Sequence, residues 1–543
     1  MRDQSPRDPG DILAQGAGRG TALEAFGPIW NSARLRLGRA SWGTSGLEPF
    51  LTQAVPYAGT SSGRLSEDAV QIFLASAPAR DSYRILELGA GSGVFAKLFL
   101  DRLRDHAPEI YHKTTYVVTD GSETVLAAQQ GFGVLDDHAA QIEYQVLDAC
   151  SNTWASGEYD MVLGSYVLDS LPFDLLAVKD GDVWRKEARC VVEDAVCQDP
   201  GALKQALAEE DDATLAPWQW IAPHLGMQTR HTRIERTDLE FGDSLPLDTG
   251  AEAIPFVHCD GALACVRASV AALRPGGVAV FSDYGHLAPL PRYEYLEFQT
   301  YGNSIAVGVN FFQLAAAVKN WPGAILYSPA KDAGNLHTRV IQKADSPEKS
   351  LEDLVDALYG AAAFHAHNDP LEKARQAMKS RYFEGARTQY MEALSRQPYN
   401  WAIMDELASV FLMATDDHEA AVEMADQGLE RNPISPGLWR AKGDALVTLG
   451  RLPEARAALE QLVALAPALA STWRSMAELS FAEADYENAL YAVTTGLIHD
   501  LDCDEQDELL DIQKNVLKTM AMKRHRQLTA TANQMRALDI LPI

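Results

Sequence analysis

The chain has 543 residues, 47% of them apolar and 22% charged, which is enough apolar material for several hydrophobic cores. Its 47 Lys and Arg stand against 75 Asp and Glu, a net charge of −28. That balance makes nucleic acid an unlikely partner for the chain as a whole and disfavours anionic membrane surfaces. Six cysteines without a Cys-x-x-Cys pair rule out a disulfide scaffold or a familiar zinc module. No apolar run reaches the ~18 residues of a spanning helix. The first 40 residues lack a signal-peptide core, and Asp3, Asp8 and Asp11 argue against a transit peptide. A soluble, cytoplasmic protein with no bound metal is expected.

Taken in chain order, residues 1–45 carry Gly, Pro and scattered Arg with weak periodicity. They read as a flexible N-terminal segment, its latter part an approach to the first domain. From 46 to 345, short apolar strands alternate with helical patterns, the signature of a parallel α/β sheet. The clearest strands are 83–88, 114–120, 142–148, 159–168 and 276–285, with 324–328 and 338–343 closing the sheet. An insert of about 170–256, with strand-like pieces and the Trp218/Trp220 pair, separates the fourth strand from the fifth. Residues 346–367 read as a linker.

A repeat then takes over. Ala386, Ala421, Ala455 and Ala489 are spaced by 35, 34 and 34 residues, Pro398, Pro433 and Pro467 by 35 and 34, and Trp439 and Trp473 by 34. A small residue lets two helices cross closely, and the proline stops the second helix. The pattern resembles tetratricopeptide repeats over 368–502, with a C-terminal capping helix in 503–543. Such arrays bind polypeptides in a concave groove, so a protein or peptide partner is expected; the two tryptophans are read as packing between repeats.

The chemistry is concentrated at strand ends. Glu87-Leu88-Gly89-Ala90-Gly91-Ser92-Gly93 leads from the first strand into a helix, offering a tight turn and a helix N-terminus. Where a dinucleotide fingerprint requires a further glycine this chain has Val94, which weakens a nicotinamide or flavin reading. Asp120 ends the second strand, placed to accept ribose hydroxyls, and Asp148 ends the third, near where an adenine would lie. The fourth strand runs out through Gly164-Ser165-Tyr166-Val167-Leu168-Asp169-Ser170-Leu171-Pro172. Four acids delivered to one sheet edge point to a nucleoside cofactor.

With these motifs, and with FSDYG at 281–285 and IAVGVNFFQLAAAV at 305–318, residues 46–345 resemble a class I S-adenosylmethionine-dependent methyltransferase of the MidA type. The resemblance implies a Rossmann-like α/β domain with an insertion and S-adenosyl-L-methionine as cofactor. Glu87, Gly89, Gly91 and Gly93 would hold its methionyl and ribose parts, Asp120 the ribose, and Asp148 the adenine side. Asp169 would lie beside the transferred methyl group, and Asp283 and Tyr284 match a further site motif, making these three the catalytic candidates. Where the family shows Asn-Glu, this chain has Ser165-Tyr166.

Methyl transfer from a sulfonium requires alignment and exclusion of water more than acid–base help, but a nitrogen acceptor must be neutral or lose a proton. Asp169 is the leading base, Asp283 the second. The reading is a methyltransferase acting on a protein or peptide, with arginine as acceptor implied by the resemblance alone. Two others compete with it: a degenerate cofactor-binding scaffold, favoured by Ser165-Tyr166, and a small-molecule methyltransferase.

Overall fold

A computed structural model describes residues 20–151, 157–179, 181–209, 211–245, 254–288, 299–301, 304–414 and 417–537. It divides into two compact units, residues 1–368 and 369–543, each described here by itself.

The first unit is organised on a sheet whose strands we number β1 (Tyr83–Leu88), β2 (Thr114–Asp120), β3 (Ile142–Val146), β4 (Tyr159–Ser165), β5 (Leu273–His286), β6 (Ala324–Tyr327) and β7 (Leu336–Lys343). Their order is β3-β2-β1-β4-β5-β7-β6. β1 to β5 pair in parallel, and β7 runs antiparallel to both neighbours. Parallel strands covered on both faces must be apolar throughout, and Ile85, Leu86, Val117, Val162, Ala279 and Phe281 are all within 1% of complete burial. The chain leaves β1 in one direction for β2 and β3, then returns to lay β4 along its other side, with Leu88 opposite Gly164. This reversal opens a crevice at the carboxyl ends of β1 and β4, where open α/β sheets bind ligands.

The insert forms a second, antiparallel sheet. Asp182–Val192 is its long strand, flanked by Asp174–Lys179 and Gly226–Ile234, with Ile254–His258 beyond. Leu176, Val183, Leu239, Leu245 and Phe256 make a small core of its own. The expectation of a flexible segment over 1–45 needs correcting. Residues 1–19 lie outside the described residues, but Thr21–Ala22 and Gly27–Pro28 pair with the insert's long strand. Ala33–Ser45 follows as a helix with Leu35, Leu37 and Ala40 buried. Glu24 ties the three pieces together, accepting from the N–H of Ala33 at 2.9 Å and of Cys190 at 3.0 Å and pairing with Arg36 at 2.9 Å. The expected linker 346–367 is helical as well. Lys349–Tyr359 buries Leu351 and Val355, and its Leu358 carbonyl accepts from Arg64 at 3.0 Å.

The second unit is helical. Phe383–Arg396, Trp401–Ala414, His418–Arg431, Pro436–Thr448, Leu452–Leu465, Ala470–Ala482 and Tyr486–His499 follow one another before the long helix Gln506–Ala537. The four alanines of the repeat are fully buried, as close helix crossings require. The tryptophans do more than pack. Trp439 Nε1 donates to the Pro433 carbonyl at 2.8 Å, and Trp473 Nε1 to the Pro467 carbonyl at 2.7 Å. Each proline that stops one helix therefore also anchors the next, satisfying a carbonyl left free at a helix end. Among the described residues no helix is long and apolar enough to cross a membrane.

Leu459 packs tightly against the neighbouring helix: a methyl group added at Gly443 would lie 2.3 Å from its Cδ2. Removing that side chain leaves a cavity that closely packed helices fill poorly. Leu459→Ala should cost about 2–5 kcal/mol. Hydrogen exchange should show protection lost in Pro436–Thr448 and Leu452–Leu465, whereas unchanged protection would contradict the packing.

Candidate functional site

The loop after β1 is held in a conformation that requires glycine. Gly89, Gly91 and Gly93 have φ of +60°, +52° and +75°, in the left-handed region where a Cβ is strained. The turn places Gly93 as the cap of the helix Val94–His106, whose first N–H groups face the crevice end of the sheet. Gln129, from the helix after β2, donates to the Gly91 carbonyl at 2.5 Å and packs beneath Gly93. The loop is also stitched to β2: Ala90 N–H donates to the Thr119 carbonyl at 2.8 Å, and Thr119 Oγ1 to the Glu87 carbonyl at 2.6 Å.

A cavity of about 410 Å³ opens over this loop, within the roughly 300–1,000 Å³ of small-molecule sites. Glu87, Gly89, Gly91, Asp120, Asp148 and Asp169 line it together. Gly93 stands one step behind, as the helix cap. Asp120 is buried; its Oδ2 accepts from Gly91 N–H at 3.1 Å and its Oδ1 from Ser122 N–H at 3.0 Å. Each oxygen keeps a further lone pair for a hydroxyl. Burial raises the Asp120 carboxyl above its ordinary range, against the pull of these backbone donors. Glu87, buried and accepting from Tyr116 Oη at 3.1 Å, is pushed by burial up to about 8. Asp148 is exposed at the rim, with Oδ1 accepting from Cys150 N–H at 2.9 Å.

The three catalytic candidates separate. Asp169 is buried and lines the cavity, and burial followed by the nearby Asp283 charge holds its carboxyl well above the usual range. Asp283, the second candidate carboxylate, is not among the described residues that line the cavity. It is fully buried, with Oδ2 accepting from Leu168 N–H at 2.7 Å and Asp169 N–H at 3.3 Å, and Oδ1 from Tyr284 N–H at 2.8 Å. It positions Asp169 by gripping the backbone on which Asp169 stands. Tyr284 is likewise outside the lining residues; its ring meets that of Tyr166, which does line the cavity, edge-on at 4.9 Å. Tyr166 itself has φ +63°, an uncommon state for a bulky residue.

Much of the opposite wall comes from the stretch read as an approach segment and from the residues just after it. Trp42, Phe50 and Tyr57 line the cavity in an edge-to-face chain, Trp42 to Phe50 at 5.4 Å and Phe50 to Tyr57 at 5.7 Å. Phe50 lies directly over the loop, since a methyl group on Gly91 would meet its Cζ at 2.7 Å. Asp212, from the insert, adds a further carboxylate beside Gly43. Among the described lining residues the one cation is Arg39, which stacks on Trp30 at 4.1 Å and donates to the Trp30 carbonyl at 2.9 Å. Glu87, Gly89, Gly91, Asp120, Asp148 and Asp169 had a sequence signal; Trp42, Phe50, Tyr57 and Asp212 had none.

The site fits S-adenosylmethionine. The glycine loop lets Phe50 and the cavity wall approach its backbone closely, the two buried carboxyls of Glu87 and Asp120 can accept from hydroxyls or face a cation, and the lining favours positive charge. Fold and site define a nucleoside-cofactor α/β domain followed by a helical repeat unit. A family model described as "Putative S-adenosyl-L-methionine-dependent methyltransferase" matches residues 65–306, and a tetratricopeptide repeat model matches 412–479. The chain therefore carries a domain of this S-adenosylmethionine-dependent family and tetratricopeptide repeats, in agreement with the sequence reading. An uncharacterized superfamily protein from Burkholderia thailandensis is similar at 16% identity and TM-score 0.41, over 60% of this chain and 90% of that one. A superfamily member described as a "likely methyl transferase" from the same organism, bound to S-adenosyl-homocysteine, is similar at 17% identity and TM-score 0.39 over the same shares. A curated relative, the highly reducing polyketide synthase gloL of Glarea lozoyensis, is 31% identical over 110 residues. That match spans 19% of this chain and 4% of the relative.

The buried Glu87 makes a testable pH dependence. Its folded form keeps a proton to about 8, while the unfolded side chain loses it near 4.5, so folding stability falls as pH rises between those values. A bound cation reverses the preference by favouring the ionised carboxylate. Affinity for S-adenosylmethionine should therefore rise from pH 6 to pH 8 (roughly the span set by that shift), and Glu87→Gln should flatten the rise. Calorimetric titrations across this range check it; equal slopes in both proteins would remove Glu87 from the cation's surroundings.

Proposed function

We propose that this protein transfers a methyl group from S-adenosylmethionine to a nitrogen of a protein or peptide substrate recruited by its repeats. The observation that carries the reading is the acid-lined cavity with Asp169 buried in its wall and Asp283 fixed behind it. When bound, S-adenosylmethionine supplies an activated methyl group and leaves as S-adenosylhomocysteine. The glycine loop with Glu87, Asp120 and Asp148 would bind the cofactor, and Phe50 with Tyr57 would exclude water above the loop. Asp169 rests protonated beside the Asp283 charge. An arriving guanidinium or ammonium group favours its ionised form, the Asp169 proton passing to solvent, and the carboxylate would then accept the proton that the nitrogen loses as its lone pair forms the new bond to carbon and the carbon–sulfur bond breaks. Asp283, held by backbone donors, keeps Asp169 at that position.

A second reading, a cofactor-binding scaffold without turnover, is favoured by Ser165-Tyr166, because Tyr166 places a ring where the resemblance expects a carboxylate. Two variants separate the readings. With a captured substrate, Asp169→Asn should lower kcat by about 10²-fold or more while changing S-adenosylmethionine affinity little. Ser165→Asn with Tyr166→Glu should create methylation only if the present chain lacks it. Saturable cofactor binding with no methyl acceptor in any captured protein, and turnover appearing in the double variant, would decide for the scaffold.

A further inference from the structure

The helix Gln506–Ala537 is 32 residues long, yet only Leu509 and Val516 are buried on it. Leu509 clusters with Ala477, Ala492 and Val493, and Ile512 packs against the same cluster, so the helix docks on the preceding repeat through its first turns. A second apolar line runs its whole length. Leu510, Leu517, Leu528 and Met535, spaced by 7, 11 and 7 residues, are between 37% and 54% exposed. At 3.6 residues per turn this spacing is a straight stripe, about 100° around the helix from the buried face.

Charge is arranged on the same helix in a way found nowhere else in this acidic chain. No Asp or Glu stands between Asp511 and Asp539, while Lys514, Lys518, Lys523, Arg524, Arg526 and Arg536 do. Without these six cations the remaining chain carries −34. Among the described residues Lys514 alone of the six has a carboxylate partner, Asp511 at 3.3 Å, and Lys523 sits 5.5 Å over the Tyr486 ring. A stretch of about 20 residues with no core and unrelieved like charge is a marginal helix in water.

We propose that residues 517–536 are a docking helix for an acidic polypeptide segment, one that offers its own apolar stripe flanked by Asp and Glu. Such a partner would cover the Leu517–Leu528–Met535 line and neutralise the cations beside it. Charge decides against the alternatives. A second copy of the same helix would bring six cations onto six. An anionic membrane would meet the −34 of the rest of the chain, and the helix has no Trp, Tyr or Phe to seat at a headgroup boundary. Nucleic acid would leave the apolar stripe uncovered. This surface does not depend on methyl transfer.

The test uses the full chain and a labelled synthetic helix-forming peptide with Leu at every third or fourth position and Glu elsewhere. Control probes are the same peptide with Lys for Glu, vesicles of about one-third phosphatidylserine, and a random-sequence DNA duplex. Fluorescence anisotropy should show binding of the acidic peptide alone. Leu517→Asp with Leu528→Asp, and separately Lys523→Glu with Arg524→Glu and Arg526→Glu, should each weaken it by about tenfold or more, with S-adenosylmethionine affinity unchanged. Failure of the acidic peptide to bind, or binding unaltered in both variants, overturns the proposal. So does retention on vesicles or DNA without peptide binding, or a concentration-dependent dimer that disappears in the Leu517→Asp, Leu528→Asp chain.

Discussion

One carboxylate holds the glycine loop of the cavity in shape. Asp120 reaches from the end of β2 to the N–H of Gly91 and, with its other oxygen, to the N–H of Ser122. The glycine loop is left-handed at three positions and would otherwise be the freest backbone in the domain. Its two neighbouring strands lie in register, Glu87 opposite Val118, so the loop and the acid meet without either having to stretch. Gln129 closes the same loop from the other side by binding the Gly91 carbonyl. The loop is thus set before any ligand arrives, which reduces the ordering that binding must supply.

The rest of the cavity follows from burying acids without giving them cations. Glu87, Asp120 and Asp169 all have raised carboxyl affinities for protons, and burial is the first cause in each. Ordinary structural acids in this chain are treated differently. Asp160, just as buried, has Arg80 at 2.7 Å and Arg274 at 2.8 Å, and Asp101 has Lys97 at 2.8 Å. Leaving the cavity acids unpaired costs stability in the free protein. It also makes the space selective, since a cation is the one kind of ligand that relieves all three. Asp283 behind the cavity is a fourth such acid: burial pushes its carboxyl up to about 7 even though successive backbone N–H groups after β4 converge on it.

What could be read from the sequence divides along physical lines. Strands β1, β2, β4 and β5 were legible because a parallel strand covered on both faces has to be apolar, and their ends could then be counted for acids. The repeats were legible because every unit needs the same small residue and the same helix stop. The helix Ala33–Ser45 was not, because its arginines interrupt the apolar pattern; Arg36 is satisfied by Glu24 and Arg39 by Trp30, contacts that periodicity does not show. The strand Thr21–Ala22 was hidden for another reason: two residues make no pattern, and its partner Val191–Val192 lies about 170 positions away. Asp283 illustrates a limit of motif reading. Its place at a strand end was correct, but two of the donors that occupy its lone pairs belong to residues more than 110 positions earlier. A motif locates a side chain; it does not say which way its lone pairs are used.

Net charge needs the same care. At −28 the chain as a whole repels polyanions, and that remains a fair statement about its long-range field. Recognition, however, occurs over about a Debye length, roughly 8 Å in physiological salt. Within that distance the cavity is more acidic than the average surface, with five lining carboxylates to one guanidinium, and the last 25 residues of the final helix are wholly basic. The mean of these two regions describes neither. In both, charge of one sign gathers beside apolar area: Trp42, Phe50 and Tyr57 at the cavity, Leu517, Leu528 and Met535 on the helix. Charge alone attracts ions of the opposite sign without discrimination. Charge set beside a fixed apolar surface selects a ligand that has both, and that pairing is the physical ground on which a ligand is proposed at each of the two places.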